Sequence, residues 1–202
     1  MFQKATRLAI ALIIVHGLID VESVPAQGQG RLPPLEGIYG ILMMPKVQKE
    51  LDIDASKLKE ILQQAEPIPA EVLQALMDAK RTNTASLVAK QKVYSKYETG
   101  LKQLLSAEQF TRLKQLSWQY SRGSALFDPE LIDTLKLTTE QETRLLTIDS
   151  EFAEKRRKNR GQSEKVRDEM RNERDRTLFE VLTEKQGKQF VELKGKMFEF
   201  RE

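Results

Sequence analysis

The 202-residue chain contains no cysteine and a single histidine, His16. The absence of cysteine excludes disulfides, thiol chemistry, cysteine-based metal sites and lipid attachment at a lipobox. We expect the segment that holds His16 to be removed on export, which would leave the mature chain without histidine. A zinc, copper or nickel site then lacks its usual soft ligands, and general-base catalysis lacks its commonest group.

Aromatic residues make up only 6% of the chain, whereas charged residues make up 31%. A thin core under a wide charged surface is typical of an all-helical protein and argues against a deep ligand pocket. There is no phosphate-binding loop and no nucleophile–base pair. Carboxylates are numerous, but their spacing follows helix surfaces, so they indicate no paired-acid site. We therefore predict that the chain is not an enzyme and has no catalytic residue, no metal site and no cofactor.

The N-terminal segment has the three parts of a secretory signal peptide. Lys4 and Arg7 precede an apolar run at 8–19, and Val24 and Ala26 occupy the two positions that a signal peptidase reads. The apolar run is shorter than the ~20 residues that a membrane-spanning helix needs. We predict cleavage after Ala26 and export, with an uncleaved N-terminal anchor as the alternative. No later stretch is apolar enough to span a membrane.

A five-residue pattern, leucine followed by Ser or Thr, two free positions and Gln, occurs three times, starting at Leu105, Leu137 and Leu182. It is the capping box that begins a helix: the hydroxyl accepts from the N–H three residues on, and the Gln reaches back to the N–H of the cap residue. We interpret these residues as structural caps, each worth ~1 kcal/mol, over the alternative that they are functional residues. The predicted cap residues are Ser106, Gln109, Thr138, Gln141, Thr183 and Gln186.

The same plan of helices occurs twice along the chain. Residues 45–62 match 129–146 at an offset of 84, and residues 105–116 match 182–193 at an offset of 77. The pattern is degenerate at Asp54, where Lys57 stands in place of Gln. We predict an all-α extended bundle of two tandem helical-hairpin units with about eight helices. The predicted boundaries are a signal peptide at 1–26, a flexible tether and lead-in at 27–44, and helical units at 45–122 and 129–202.

Several finer expectations follow from apolar spacing. A long helical region is predicted from Ala70 to Leu105, with a bend or turn around 81–84. The last helix is predicted to run from Thr183 far enough to bury Met197 and Phe200 as well as Phe190 and Leu193. The scattered methionines are expected to fill the core.

Leu-Thr-x-x-Gln after a short proline-started helix resembles the signature of the Spy/CpxP-like, LTxxQ-motif family of exported helical proteins of the bacterial envelope. The resemblance covers most of 45–202: the motifs at Thr138 and Thr183 match in full, Ser106 replaces Thr, and Lys57 departs from the pattern. It implies an ATP-independent chaperone or envelope-stress regulator, working as a dimer that cradles clients. The implied partners are unfolded or envelope proteins and a second copy of the chain, in the periplasm or outside the cell.

A run of five cations at 155–160 lies at a predicted hairpin tip, and alternating charges follow it at 167–176. One interpretation is a solvated helix held by ion pairs three and four residues apart. The other is a cationic surface that attracts acidic clients or a partner. Nucleic acid is disfavoured by the export signal and the few interleaved aromatics. The candidate surface consists of Arg156, Arg157, Arg160, Arg167, Met170 and Arg171.

Two functions are therefore open. The first is an exported binding protein that holds unfolded chains or a signalling partner on a partly apolar, cationic helical surface, without nucleotide hydrolysis. The second is a non-catalytic structural or assembly protein of the envelope that has no client activity.

Overall fold

A computed structural model describes residues 33–79 and 83–200 of the chain, and these residues belong to one compact unit. The predicted signal peptide, its cleavage site and the start of the tether lie outside the described residues. Within them the fold is all-α, with ten α-helices, one 3-10 helix at Arg122–Phe127 and no strand. The helices are α1 Gly37–Leu42, α2 Pro45–Glu50, α3 Ala55–Ala65, α4 Ile68–Asp78, α5 Asn83–Leu104, α6 Ala107–Ser121, α7 Pro129–Leu135, α8 Thr139–Lys158, α9 Glu164–Phe179 and α10 Glu184–Leu193.

Local sequence signals explain most of these boundaries. Pro45 and Pro129 occupy the first turns of α2 and α7, where a missing N–H costs no helical hydrogen bond. Pro67 lies two residues after the end of α3, where it cannot continue the helix. The predicted helical region from 70 to 105 is divided between α4 and α5. Of the predicted bend at 81–84, residues 83 and 84 belong to α5, and residues 81 and 82 lie outside the described residues.

The lead-in segment before α2 is part of the core. The side chains of Ile41 and Leu42 in α1 are fully buried, and the Tyr39 hydroxyl donates to the carbonyl of Tyr97 in α5 at 2.9 Å. Burial raises the pKa of the Tyr39 phenol above its usual range. Residues 37–42 of the predicted tether and lead-in thus form a short packed helix.

The buried apolar side chains form two clusters that meet within α6. The first contains residues of α1 to α6 up to Leu116, and the second begins at Trp118 and continues through α7 to α10. This division lies close to the predicted boundary between the two helical units. Phe198 and Phe200, however, pack against the first cluster, so the end of the chain returns to its first half. The tandem arrangement of two hairpin units stays a prediction.

The last helix is shorter than predicted. α10 ends at Leu193, Gly195 adopts a left-handed conformation with φ +61°, and the chain continues without helical structure to Phe200. Met197 is 71% exposed, so its predicted burial is wrong. Met77 is 69% exposed, and the expectation that the methionines fill the core fails there too.

Candidate functional site

The three predicted capping boxes are all formed. In each, the hydroxyl of Ser106, Thr138 or Thr183 accepts from the backbone N–H of the Gln three residues later, at 3.2–3.3 Å. The Gln Oε1 in turn accepts from the N–H of the cap residue at 2.9–3.0 Å. The boxes begin α6, α8 and α10, so the pattern places helix starts as predicted.

The Gln amides have a second contact that the sequence pattern does not predict. Gln109 Nε2 donates to the carbonyl of Leu51 at 2.7 Å, and Gln186 Nε2 donates to the carbonyl of Leu135 at 3.2 Å. Leu51 and Leu135 lie at the ends of α2 and α7 and are related by the offset of 84. Each Gln therefore joins the start of one helix to the otherwise unsatisfied end of a short helix far away in sequence.

In the second half of the chain the two Gln side chains also bond to each other. Gln141 Nε2 donates to Gln186 Oε1 at 2.8 Å, and Gln186 Nε2 lies 3.1 Å from Gln141 Oε1. Gln141 Nε2 also reaches the carbonyl of Val181 at 2.8 Å. In the first half, Lys57 occupies the position that corresponds to Gln141 and pairs with Glu60 at 2.8 Å instead. These contacts support the interpretation of the motif residues as structural caps.

The turns that follow α2 and α7 have the same backbone conformation. Asp52 and Lys136 both adopt a left-handed conformation, with φ +52° and +53°. The N–H of Ile53 bonds to the carbonyl of Gln48 at 2.9 Å, and the corresponding bond after α7 is 3.1 Å long. Non-glycine residues seldom adopt the left-handed conformation. Its occurrence at two positions that differ by the offset of 84 therefore supports a shared local structure.

The candidate cationic surface forms a groove between the C-terminal part of α8, the following turn and α9. The groove encloses about 310 Å³. Five of the six predicted residues line it, and Arg157 does not. The lining residues are Phe152, Arg156, Asn159, Arg160, Gly161, Arg167, Met170, Arg171 and Arg174.

The groove combines an apolar floor with a cationic rim. Phe152 is buried and Met170 half-buried, whereas Arg156, Arg160 and Arg167 are exposed. No carboxylate is among the lining residues. Helix α8 ends at the groove, so its last carbonyls lie near the cations, which is the favourable arrangement for a helix C-terminus.

The arginines of the groove differ in their partners. Arg171 pairs with Asp168 at 3.1 Å, and Arg174 Nε donates to Asp149 at 3.0 Å. In the part of the chain that the structure describes, the side chains of Arg156, Arg160 and Arg167 have no ion pair or hydrogen bond. Arg174 is the lining arginine that the predicted surface did not include. The only signal for it is its place in the alternating charges after 167, which does not reveal its partner Asp149 on another helix.

A second polar cluster, also missed from the sequence, is buried where α5, α6 and α7 meet. Lys114 is 3% exposed, and its Nζ lies 2.7 Å from Asp128, 3.3 Å from Glu98 and 3.4 Å from Glu130. Burial raises the pKa of the Glu98 carboxyl, although the Lys114 ammonium opposes the shift. Burial alone would lower the pKa of Lys114, but the surrounding carboxylates, Asp128 first, outweigh it and raise that pKa. Each of the three carboxylates contacts the Lys114 ammonium, so the cluster joins α5, α6 and the start of α7.

Across 33–79 and 83–200, no group of three or more carboxylate or histidine side chains is arranged to hold a metal ion. Over the same ranges, none of the helices combines the length and apolar character required to cross a bilayer.

Comparison with known proteins identifies no relative of the chain. No protein family, curated protein or solved structure matches the chain. The resemblance to Spy/CpxP-like proteins therefore depends on the repeated motif alone.

Proposed function

We propose that the chain is an exported binding protein of the bacterial envelope, acting without catalysis as a Spy/CpxP-like ATP-independent chaperone or stress-response regulator. The observation that carries the proposal is the groove at the α8–α9 tip. Five of the residues selected from the sequence line it, three of its arginines lack a partner among the described residues, and no carboxylate lies in its lining.

The chemistry of the groove favours acidic, partly apolar segments of unfolded chains. The arginine rim attracts carboxylates and raises the local concentration of acidic clients. Phe152 and Met170 offer an apolar floor to a side chain of such a segment, and methionine adapts to varied shapes. Binding of this kind is weak and adaptable, and it needs no nucleotide.

The test is suppression of aggregation of unfolding acidic substrates by charge-reversed variants. The triple variant Arg156→Glu, Arg160→Glu, Arg167→Glu should be about tenfold less effective than the wild type, because the attraction becomes repulsion. The matched control is Lys59→Glu, Lys92→Glu, Lys185→Glu, which changes the net charge equally at exposed lysines elsewhere. Control and wild type should perform alike, and both should weaken as salt is raised from 50 to 500 mM, a range over which screening shortens to about 4 Å.

Equal loss in the groove variant and the control would reject the groove as the binding surface. Failure of the wild type at several-fold molar excess would reject the chaperone function and favour the structural or assembly protein. That second candidate is supported by the ion pairs within the hairpin, such as Lys155 with Glu173 at 3.0 Å, which fit a solvated surface with no client.

Export is the second part of the proposal, and it depends on the N-terminal residues alone. The mature protein should be found outside the cytoplasm and begin at Gln27. N-terminal sequencing of the exported protein tests both statements, and a retained Met1 would favour the uncleaved anchor. The proposed partner set includes a second copy of the chain, which light scattering of the purified protein tests.

A further inference from the structure

The segment after α10 lies against α6 in the manner of a bound peptide. Burial alternates along it: Phe198 and Phe200 are half-buried against the first core cluster, whereas Met197 and Glu199 are exposed. This alternation is typical of an extended segment that presents every second side chain to a surface.

One buried side chain of α6 binds the backbone of this segment. Gln119, 9% exposed, donates through Nε2 to the carbonyls of Lys194 and Lys196 at 2.7 and 2.9 Å, and its Oε1 accepts from the N–H of Phe198 at 2.9 Å. Arg112 adds a bond from Nη1 to the carbonyl of Lys196 at 2.7 Å. These four hydrogen bonds are made to main-chain groups and therefore do not depend on the side chains of the bound segment.

Selectivity comes from two aromatic contacts and one close approach. Phe198 and Phe200 stack edge to face with centroids 4.9 Å apart, and Tyr120 of α6 contacts Phe200 at 5.2 Å. A Cβ at Gly195 would lie 2.5 Å from Gln115 Oε1, and its φ of +61° also favours glycine. The surface therefore recognises a segment that turns at Gly195 and Lys196 and then carries aromatic side chains two residues apart.

We propose that this face of α6, formed by Arg112, Gln115, Gln119 and Tyr120, is a binding site for extended segments of the type aromatic–polar–aromatic, and that residues 195–200 occupy it in cis. Segments of this type occur in unfolded chains, and one can enter the site when the chain's own segment leaves it. The site shares no residue with the arginine groove, so this proposal and the proposed function can be tested independently.

The experiment uses the full-length chain with its own segment weakened. The double substitution Phe198→Ala, Phe200→Ala removes the aromatic contacts and leaves Gln119 in place. The probe is a fluorescein-labelled peptide of residues 194–200, and binding is followed by anisotropy. The wild type should bind it at least tenfold more weakly than the variant, because its own tethered segment competes at an effective concentration in the millimolar range.

Two controls decide the result. Adding Gln119→Leu to the double variant should abolish peptide binding, and a peptide with alanine at both aromatic positions should bind neither protein. Failure of the folded double variant, checked by circular dichroism, to bind the wild-type peptide would overturn the proposal, as would equal binding of the alanine peptide. If the double variant does not fold, the single variant Phe200→Ala replaces it in the same titration: peptide binding at least threefold tighter than that of the wild type supports the proposal, and binding no tighter than that of the wild type overturns it.

Discussion

The pair of amides formed by Gln141 and Gln186 gives the sharpest prediction on stability. Gln186→Ala removes the acceptor of the Thr183 N–H, the donor to the Leu135 carbonyl and the partner of Gln141. At about 0.5–1.5 kcal/mol for each hydrogen bond in a half-buried setting, the free energy of unfolding should fall by about 2–3 kcal/mol. In a domain of this size that loss lowers the Tm by about 5–10 °C.

Part of this loss belongs to the contact between the two side chains, and a double-mutant cycle isolates it. Gln141→Ala and Gln186→Ala should together cost less than the sum of the single changes, with a coupling of about 1 kcal/mol. The first half of the chain provides a matched control, since Lys57 and Gln109 occupy the corresponding positions and no hydrogen bond joins them in the described structure. Their coupling should be below ~0.3 kcal/mol.

Both cycles are measured by urea unfolding with two independent probes, because the free energies require two-state behaviour. An equal coupling in the two halves would refute the assignment of the amide pair. So would a loss for Gln186→Ala no larger than the ~1 kcal/mol expected from a helix cap alone.

Three further predictions address stability at other positions. Thr138→Ala should lower the free energy of unfolding by about 1 kcal/mol while client suppression per folded molecule stays unchanged, and a loss of activity without a loss of stability would make the motif functional. Lys114→Met leaves the part-buried carboxylates of Glu98 and Asp128 without their ammonium partner and should cost about 3 kcal/mol at pH 7. The folded-state pKa of Glu98 is raised, and removal of the Lys114 ammonium raises it further. Stability from this carboxyl is lost as pH rises through its folded-state pKa, so the loss of unfolding free energy caused by Lys114→Met should shrink near pH 4. A loss that does not depend on pH would contradict the argument. Gly187→Ala should stabilise α10 by about 1 kcal/mol because its Cβ meets open space. Gly123→Ala should destabilise by about 2 kcal/mol because its Cβ would lie 2.8 Å from Asp175 Oδ1. Equal effects of the two glycine substitutions on the Tm would contradict both.

Helix starts were predictable because a capping box is complete within four residues. Ser106, Thr138 and Thr183 need no distant partner to fulfil that role, and Asp54 caps α3 with the N–H of Lys57 even without a Gln. The all-α fold follows from these starts together with the apolar stripes on each helix. The bonds from the Gln amides to Leu51 and Leu135 were not predictable, since they span 50 residues or more.

The prediction of a longer last helix was wrong because apolar spacing does not reveal tertiary contacts. Met197 and Phe200 continue the helical period of Phe190 and Leu193, so the pattern favours a longer helix. Gln119, 75–79 residues away, binds the backbone of this segment in a non-helical form, and a tertiary contact prevails over local periodicity. Gly195 was the one local signal that the helix stops.

The candidate groove was predicted as a charged surface, but its shape was not. Charge runs mark Arg156, Arg160 and Arg167 as exposed, and the hairpin turn brings the ends of α8 and α9 together. Some arginines form ion pairs with carboxylates on other helices, as Arg174 does with Asp149. These pairs form only when the helices pack, so the sequence does not show which arginines stay unpaired.

The matching turns after α2 and α7 have a consequence for protein engineering. Residues 45–54 and 129–138 each run from an N-terminal proline through a left-handed residue to a helix cap, and Val47 and Leu131 anchor them in the core. Because the two stretches have equal length, the same left-handed turn and the same closing hydrogen bond, we expect that one can replace the other. Such an exchange would change the side chains of the segment and keep the turn, which makes the segment a suitable boundary for chimeras.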